Sequence, residues 1–193
     1  DNLRKQYRES KEVIENIRKR ASICPVCNSK VNEKKSNEII ENQTKILATI
    51  IKNAKENGLK IGVYFYSYAN SNEEAKKQAN WVIDNLSDYK LDLPIVYDWE
   101  SWSNFNSVNA SLYKFNEIAA TFLEEIENNN YDSMLYSSKN YLENIWDIKN
   151  HKVWLAHYTN KTNYQGEYYI WQMCSDGRID GINGDVDIDI LYK

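Results

Sequence analysis

The stretch Leu91-Asp92-Leu93-Pro94-Ile95-Val96-Tyr97-Asp98-Trp99-Glu100 constrains the fold of this chain more than any other. Its apolar, β-branched and aromatic centre reads as a buried strand, and the strand runs out on two carboxylates one residue apart. Strand side chains alternate sides, so Asp98 and Glu100 face the same way, about 6–7 Å apart along the backbone. Two acids at the end of an apolar strand are costly to desolvate. Such a pair can hold different protonation states, one neutral to donate a proton and one ionised to stabilise positive charge. Breaking a glycosidic bond requires that division of labour. A strand running into a polar loop with two solvated acids has the same spacing, and spacing alone leaves both readings open.

The rest of the chain is arranged around this strand as an alternation. Ile61 to Tyr68 reads as a strand, and Asn72 to Leu86 as a helix with Ser71 as cap and Glu74 completing a capping box. After the acid-bearing strand, a loop rich in Asn, Ser and aromatics runs from Ser101 to Asn109. Ser111 to Asn128 reads as a helix, Ser133 to Ser137 as a strand and Tyr141 to Trp146 as a short helical turn. Three closely spaced strands follow, at Val153 to Tyr158, Tyr168 to Met173 and Val186 to Leu191. Alternation of this kind predicts a parallel sheet or barrel with its active face at the strand C-terminal ends, where Asp98 and Glu100 fall. No internal repeat or low-complexity linker interrupts it.

The segment before Gly58 has a different texture. Asp1 to Arg20 is densely charged, with Val13, Ile14 and Ile17 at helical spacing. A tight turn carrying Cys24-Pro25-Val26-Cys27 follows. From about Asn32 a second helical pattern runs through Ile39, Ile40, Ile46, Leu47, Ile50 and Ile51, and Gly58 is placed to stop it.

At 193 residues the chain is long enough for one substantial core. A formal charge of −4 provides no broad basic field for nucleic acid. No apolar run approaches the roughly 20 residues that span a bilayer. The amino end, charged from Arg4 onwards, does not read as a signal peptide, so the expected product is cytosolic when made, a mature form, or a fragment. Cys24, Cys27 and Cys174 do not form a disulfide framework. The 15 Tyr and 6 Trp supply flat apolar faces with polar tips, suited to stacking on sugar rings and equally suited to strands.

Several strand motifs then occur in a telling order. They are Gly62-Val63-Tyr64-Phe65-Tyr66-Ser67-Tyr68-Ala69, Tyr97-Asp98-Trp99-Glu100, Leu135-Tyr136-Ser137-Ser138, Trp154-Leu155-Ala156-His157-Tyr158, Ile170-Trp171-Gln172 and Gly181-Ile182-Asn183-Gly184-Asp185-Val186-Asp187. Together they resemble the family 25 glycoside hydrolases, lysozymes of bacteria and phages that cut the N-acetylmuramic acid to N-acetylglucosamine bond of peptidoglycan. The resemblance runs from about Gly58 to Lys193. It implies a barrel of five β/α steps and three closing strands, with carboxylates alone doing the chemistry and no cofactor. Glu100 corresponds to the general acid. Asp98 corresponds to the partner that positions or polarises the substrate's N-acetyl group, and Asp187 to the acid on the last strand facing the same cleft. Asp185 and Asp189 share the parity of Asp187 and are read as loop and rim.

Candidate substrate-binding residues are Tyr64 and Tyr66, on one side of their strand, with Tyr136 and Trp154 by similar logic; Tyr158 shares the parity of Trp154. Trp102 and Phe105, on the loop after Glu100, could form a subsite wall, and Gln172 could hydrogen-bond sugar or a neighbouring acid. His151 and His157 have no nucleophile motif beside them and read as structural or surface residues.

The family's usual opening, a strand with Asp-x-Ser followed by a helix and a second strand, is missing here. The expected fold is therefore α/β, a TIM-like (β/α)5(β)3 barrel incomplete at its amino end, preceded by a helical segment with a CxxC turn. Residues 1–35 are assigned to that segment and 36–193 to the partial barrel. Missing strands leave unpaired edges, which a homodimer or a second chain could cover. The helix–CxxC–helix segment also resembles the zinc hook of the SMC-like DNA-repair ATPases. Cys24 and Cys27 supply only two thiolates, so a tetrahedral zinc would need a second chain or distant ligands.

The expected function is lysozyme-type hydrolysis of the N-acetylmuramic acid to N-acetylglucosamine β-1,4 bond at the bacterial cell wall. Its expected partners are peptidoglycan glycan strands, without nucleic acid or membrane. The alternative is a domain that binds glycan, or assembles through its amino-terminal helical hairpin, without turnover.

Overall fold

A computed structural model describes residues 33–86, 89–100, 111–147 and 150–192. They divide into two compact units. The first contains helix α1 (Glu33–Glu56) and the residues after it to 61, with 181–183. The second, residues 62–180 and 184–192, contains every other element.

Helix α1 carries the i,i+4 ion pairs Glu41–Lys45 (2.7 Å) and Glu56–Lys52 (3.7 Å), each a few tenths of a kcal/mol on an exposed helix. Gly58 ends it at φ +71°, a conformation costly for residues with a Cβ. Its N–H donates to Lys55 O, and Leu59 N donates to Ala54 O. These bonds satisfy carbonyls of the last turn.

In the second unit, β1 (Val63–Tyr66), α2 (Asn72–Leu86), β2 (Ile95–Asp98), α3 (Leu112–Asn128), β3 (Ser133–Ser138), α4 (Lys139–Asn144) and β4 (Lys152–Ala156) alternate. Two strands follow, β5 (Ile170–Gly177) and β6 (Val186–Leu191). All six form one sheet in sequence order. β1 to β5 are parallel, and β6 closes back antiparallel onto β5. A helix bridges each of the first three parallel steps, as parallel pairing requires a long crossover. Among the described residues β1 and β6 are each paired on one side only, so the sheet is an open six-strand half-barrel.

Helix ends follow the residues that cap them. Ser71 accepts from Glu74 N at 3.2 Å, and Glu74 reaches back to Asn70 N at 3.0 Å, so the box closes one residue before the cap. Ser111 accepts from Lys114 N at the start of α3.

The core lies between the sheet and helices α2 and α3. Ile95, Tyr97 and Leu135 from the strands meet Ala75, Ala79 and Val82 of α2 and Phe115, Ile118, Phe122 and Ile126 of α3, all buried. Phe65 stacks on Phe122 at 5.8 Å, and Tyr97 meets the same ring at 5.0 Å. A smaller apolar group, Val96, Met134 and Ile170, lies on the opposite face of the strands.

The chain departs from the sequence reading at strand ends. β1 is shorter than Ile61 to Tyr68, and β5 continues past Met173 to Gly177. β5 does so through register shifts between Gln172 and Cys174 and between Cys174 and Gly177. These irregularities let a turn-like Ser-Asp-Gly sequence stay paired with β6. At Gly177 an added Cβ would run into Ile188, so the close approach of β6 there needs glycine.

Candidate active site

Asp98 is the last residue of β2 and Glu100 follows two residues on, with Trp99 packed between them. Trp99 is 2% exposed, its ring 4.5 Å from Phe115 and edge-on to Trp146 at 6.5 Å. Trp146 is held in turn by its indole N–H donating to Ser137 Oγ at 2.8 Å. With Trp99 locked into the helix side, Asp98 and Glu100 on either side of it are directed to the opposite face.

That face carries a row of side chains in register across four strands: Tyr66, Asp98, Tyr136 and Trp154. One step toward the strand C-terminal ends lie Ser138, Ala156, Gln172 and Asp189. One step the other way lie Tyr64, Val96 and Met134. Polar and aromatic groups therefore gather at the C-terminal end of the sheet, above a small apolar floor.

Three acids act on one another there. Asp98 is 7% exposed, and its Oδ1 is enclosed without a hydrogen-bond partner. Burial, with the nearby charge of Glu100, pushes its carboxyl up to about 7. Glu100 is more open to solvent; burial and then the charge of Asp187 raise it above the ordinary carboxylate range. Three strands lie between β2 and β6 in the sheet, yet Asp187 of β6 is close enough to act on Glu100 just past β2. The curl of the half-barrel thus brings the two together across its opening.

Aromatic side chains flank the acids. Tyr66 and Tyr136 both feel the charges of Glu100 and Asp98, and burial is the largest cause raising each phenol. Tyr136 meets Trp154 edge-on at 5.2 Å, and Tyr66 meets Tyr68 at 5.1 Å. Tyr136 donates to Gln172 Oε1 at 2.8 Å, and Tyr158 donates to the same oxygen at 3.1 Å. Tyr64, 51% exposed on β1, stands one row away from Asp98.

Of the residues singled out in the sequence, Asp98, Glu100, Asp187, Tyr66, Tyr136, Trp154 and Gln172 share this face, with Tyr64 at its edge. Trp102, Phe105, Cys24 and Cys27 lie outside the described residues. Asp185 forms an exposed ion pair with Arg178 at 2.7 Å, as a rim residue would. Asp189 is not a rim residue: it lies within β6 and accepts the indole N–H of Trp154 at 2.7 Å. Tyr158, grouped with Trp154 by parity in the sequence, lies just beyond β4 and places its hydroxyl on Gln172. His151 Nδ1 lies 2.9 Å from Glu127 and 3.2 Å from Ser133 Oγ, and His157 Nδ1 2.8 Å from Thr162 Oγ1. Among the described residues no group of three or more His, Cys, Asp or Glu side chains is arranged to hold a metal ion, and no helix is long and apolar enough to cross a membrane.

Comparison with known proteins gives this geometry a context. The family model for glycosyl hydrolases family 25 matches residues 31–182. The autolytic lysozyme of Clostridium acetobutylicum is 28% identical over 139 residues, covering 70% of this chain and 40% of that protein. The modular autolysin LytC of Streptococcus pneumoniae, solved with a synthetic peptidoglycan ligand, is 29% identical with a TM-score of 0.66, over 77% of this chain and 37% of its own. The spore cortex lytic enzyme SleM of Clostridium perfringens shares the fold, with a TM-score of 0.62 at 20% identity, over 73% of this chain and 52% of its own. The chain thus spans about half or less of the length of these relatives.

Proposed function

The chain belongs to glycosyl hydrolases family 25, and we propose that it hydrolyses the β-1,4 bond between N-acetylmuramic acid and N-acetylglucosamine in peptidoglycan. The observation that carries this reading is the line of three interacting acids, Asp98, Glu100 and Asp187, at the C-terminal end of the sheet. Glu100, raised yet open to solvent, is the general acid that protonates the leaving oxygen. Asp98, more deeply buried with an unpartnered oxygen, meets the substrate's N-acetyl group and assists its attack on the sugar carbon. Asp187 helps keep the proton on Glu100 and faces the positive charge that develops on the sugar. Tyr64, Tyr66, Tyr136 and Trp154 offer ring faces and edges to the glycan, and Trp102 belongs to the same binding set.

The place of action in this reading is the bacterial cell wall. A second copy, or another chain, pairing on the outer edge of β1 would complete the barrel, and solution mass measures whether it does. The alternative of a non-hydrolytic binding or assembly domain is not favoured, since the family match covers most of the chain.

The test is incubation with purified bacterial walls. The wild-type chain should clear the suspension and release new reducing ends on muramic acid, identified by mass spectrometry. Glu100→Gln should do neither. Equal clearing by both proteins overturns the assignment.

A further inference from the structure

Gln172 is 5% exposed on β5, and its two ends meet different surroundings. Its carbonyl oxygen accepts from two phenols at once, Tyr136 at 2.8 Å and Tyr158 at 3.1 Å, so both of its lone pairs are engaged. Its amide nitrogen, with two N–H groups, has no acceptor among the described residues. A nearly buried primary amide that leaves its donors unmatched forfeits about 1–3 kcal/mol unless a ligand or water takes them. The phenols come from different places, Tyr136 from β3 and Tyr158 from just beyond β4, and their hydroxyls meet at one oxygen, close enough to act on each other. Flipping the amide would leave both without that shared acceptor.

Neighbouring strands crowd the same corner. Asp189 stands opposite Gln172 on β6 and holds the indole of Trp154. Trp154 in turn presses edge-on against Tyr136. Asp98, in register with Tyr136, and Glu100 are the other charged groups whose fields reach this corner.

We propose that Gln172 is a specificity-determining residue whose amide N–H groups donate to an uncharged acceptor oxygen, carbonyl or hydroxyl, of the bound glycan, and that Tyr136 and Tyr158 set that direction. The proposal rests on the glycan-hydrolase reading and adds the polarity of one contact to it. A group that presents donors selects sugars with an acceptor at that position and rejects those that offer an N–H or a cationic amine there.

The test compares wild type, Gln172→Glu and Gln172→Met on soluble peptidoglycan glycan fragments, with KM and kcat measured from pH 5 to pH 8. The introduced carboxylate can still accept from both phenols but cannot donate. For Gln172→Glu, KM should rise about tenfold at pH 7 with a smaller change in kcat. The defect should shrink toward pH 5, where the introduced carboxyl takes up a proton and regains a donor. Gln172→Met should be impaired equally at every pH. Wild-type KM for Gln172→Glu at pH 7 overturns the proposal, because the glycan would then be the donor. A defect independent of pH and equal to that of Gln172→Met also overturns it, leaving only packing.

If Gln172→Glu melts below the assay temperature, Tyr158→Phe, at an exposed side chain, carries the test. It should raise KM about threefold at constant kcat, and an unchanged KM overturns the proposal. A wild-type chain that neither binds nor cleaves the fragments overturns the hydrolase reading and this proposal together.

Discussion

The same four strands, β1 to β4, present two unlike faces to their surroundings. Toward α2 and α3 they offer Phe65, Ile95, Tyr97 and Leu135, which pack into a largely apolar layer, while Leu155 of β4 joins a separate apolar group with Val153 and Trp171. On the other side they offer Tyr66, Asp98, Tyr136 and Trp154, where a buried carboxylate oxygen has no partner and phenols crowd against charge. The helix side is mostly apolar, the enclosed Tyr97 hydroxyl being an exception, whereas the other side gathers ionisable groups whose charged forms burial disfavours. The difference indicates where stability ends and chemistry begins, because nothing about folding requires Asp98 to be enclosed beside Glu100.

If that division is right, substitutions on the two faces should fail in different ways. The largest effect is expected for Glu100→Gln, which should lower the rate of glycan cleavage by about 10³-fold while leaving the melting temperature within a degree or so of wild type. A large drop in melting temperature would show that the acid row also supports the fold. Next comes Phe122→Ala, in the centre of the helix-side layer. It should cost about 3–5 kcal/mol and lower the melting temperature by roughly 10 °C, with the activity per folded molecule retained.

Asp98→Asn sharpens the contrast further, since it should stabilise the protein. Burial lifts the folded carboxyl from the ordinary 3.8 to about 7. Between those values the folded chain keeps a proton that the unfolded chain releases, so stability falls as pH rises through the window. Asparagine removes that dependence. Its gain should be absent below pH 4, grow through the window and level off above about pH 7 at on the order of 2 kcal/mol, read from thermal melts at pH 4 and pH 8. A gain equal at both pH values would mean that the charge is not the cause. The smallest effect belongs to Ser111→Ala at the start of α3, about 1 kcal/mol in denaturant titrations with no change in KM.

Much of this arrangement was legible in the chain itself. A two-residue period places Asp98 and Glu100 on one side wherever the strand is straight, and the caps at Ser71 and Ser111 mark helices to within a residue. The family resemblance is likewise present in short motifs that sit on strands. Other features depend on pairings that no local pattern encodes. Asp185, Asp187 and Asp189 share a parity in the sequence, and nothing local shows that Asp189 takes the indole N–H of Trp154, 35 positions away, while Asp185 pairs with Arg178. The extension of β5 to Gly177 was hidden for a related reason. Ser175-Asp176-Gly177 has turn chemistry, and it is the partner strand that holds it extended through two irregularities.

Trp99 links the two faces: it is a core residue inserted between the two carboxylates proposed to be catalytic. Loosening of its socket against Phe115 would let the strand end swivel and the carboxylates drift apart before any strand unzips. Warming should therefore silence the proposed hydrolysis some degrees ahead of the global melt, with the packing of a single indole acting as the thermostat.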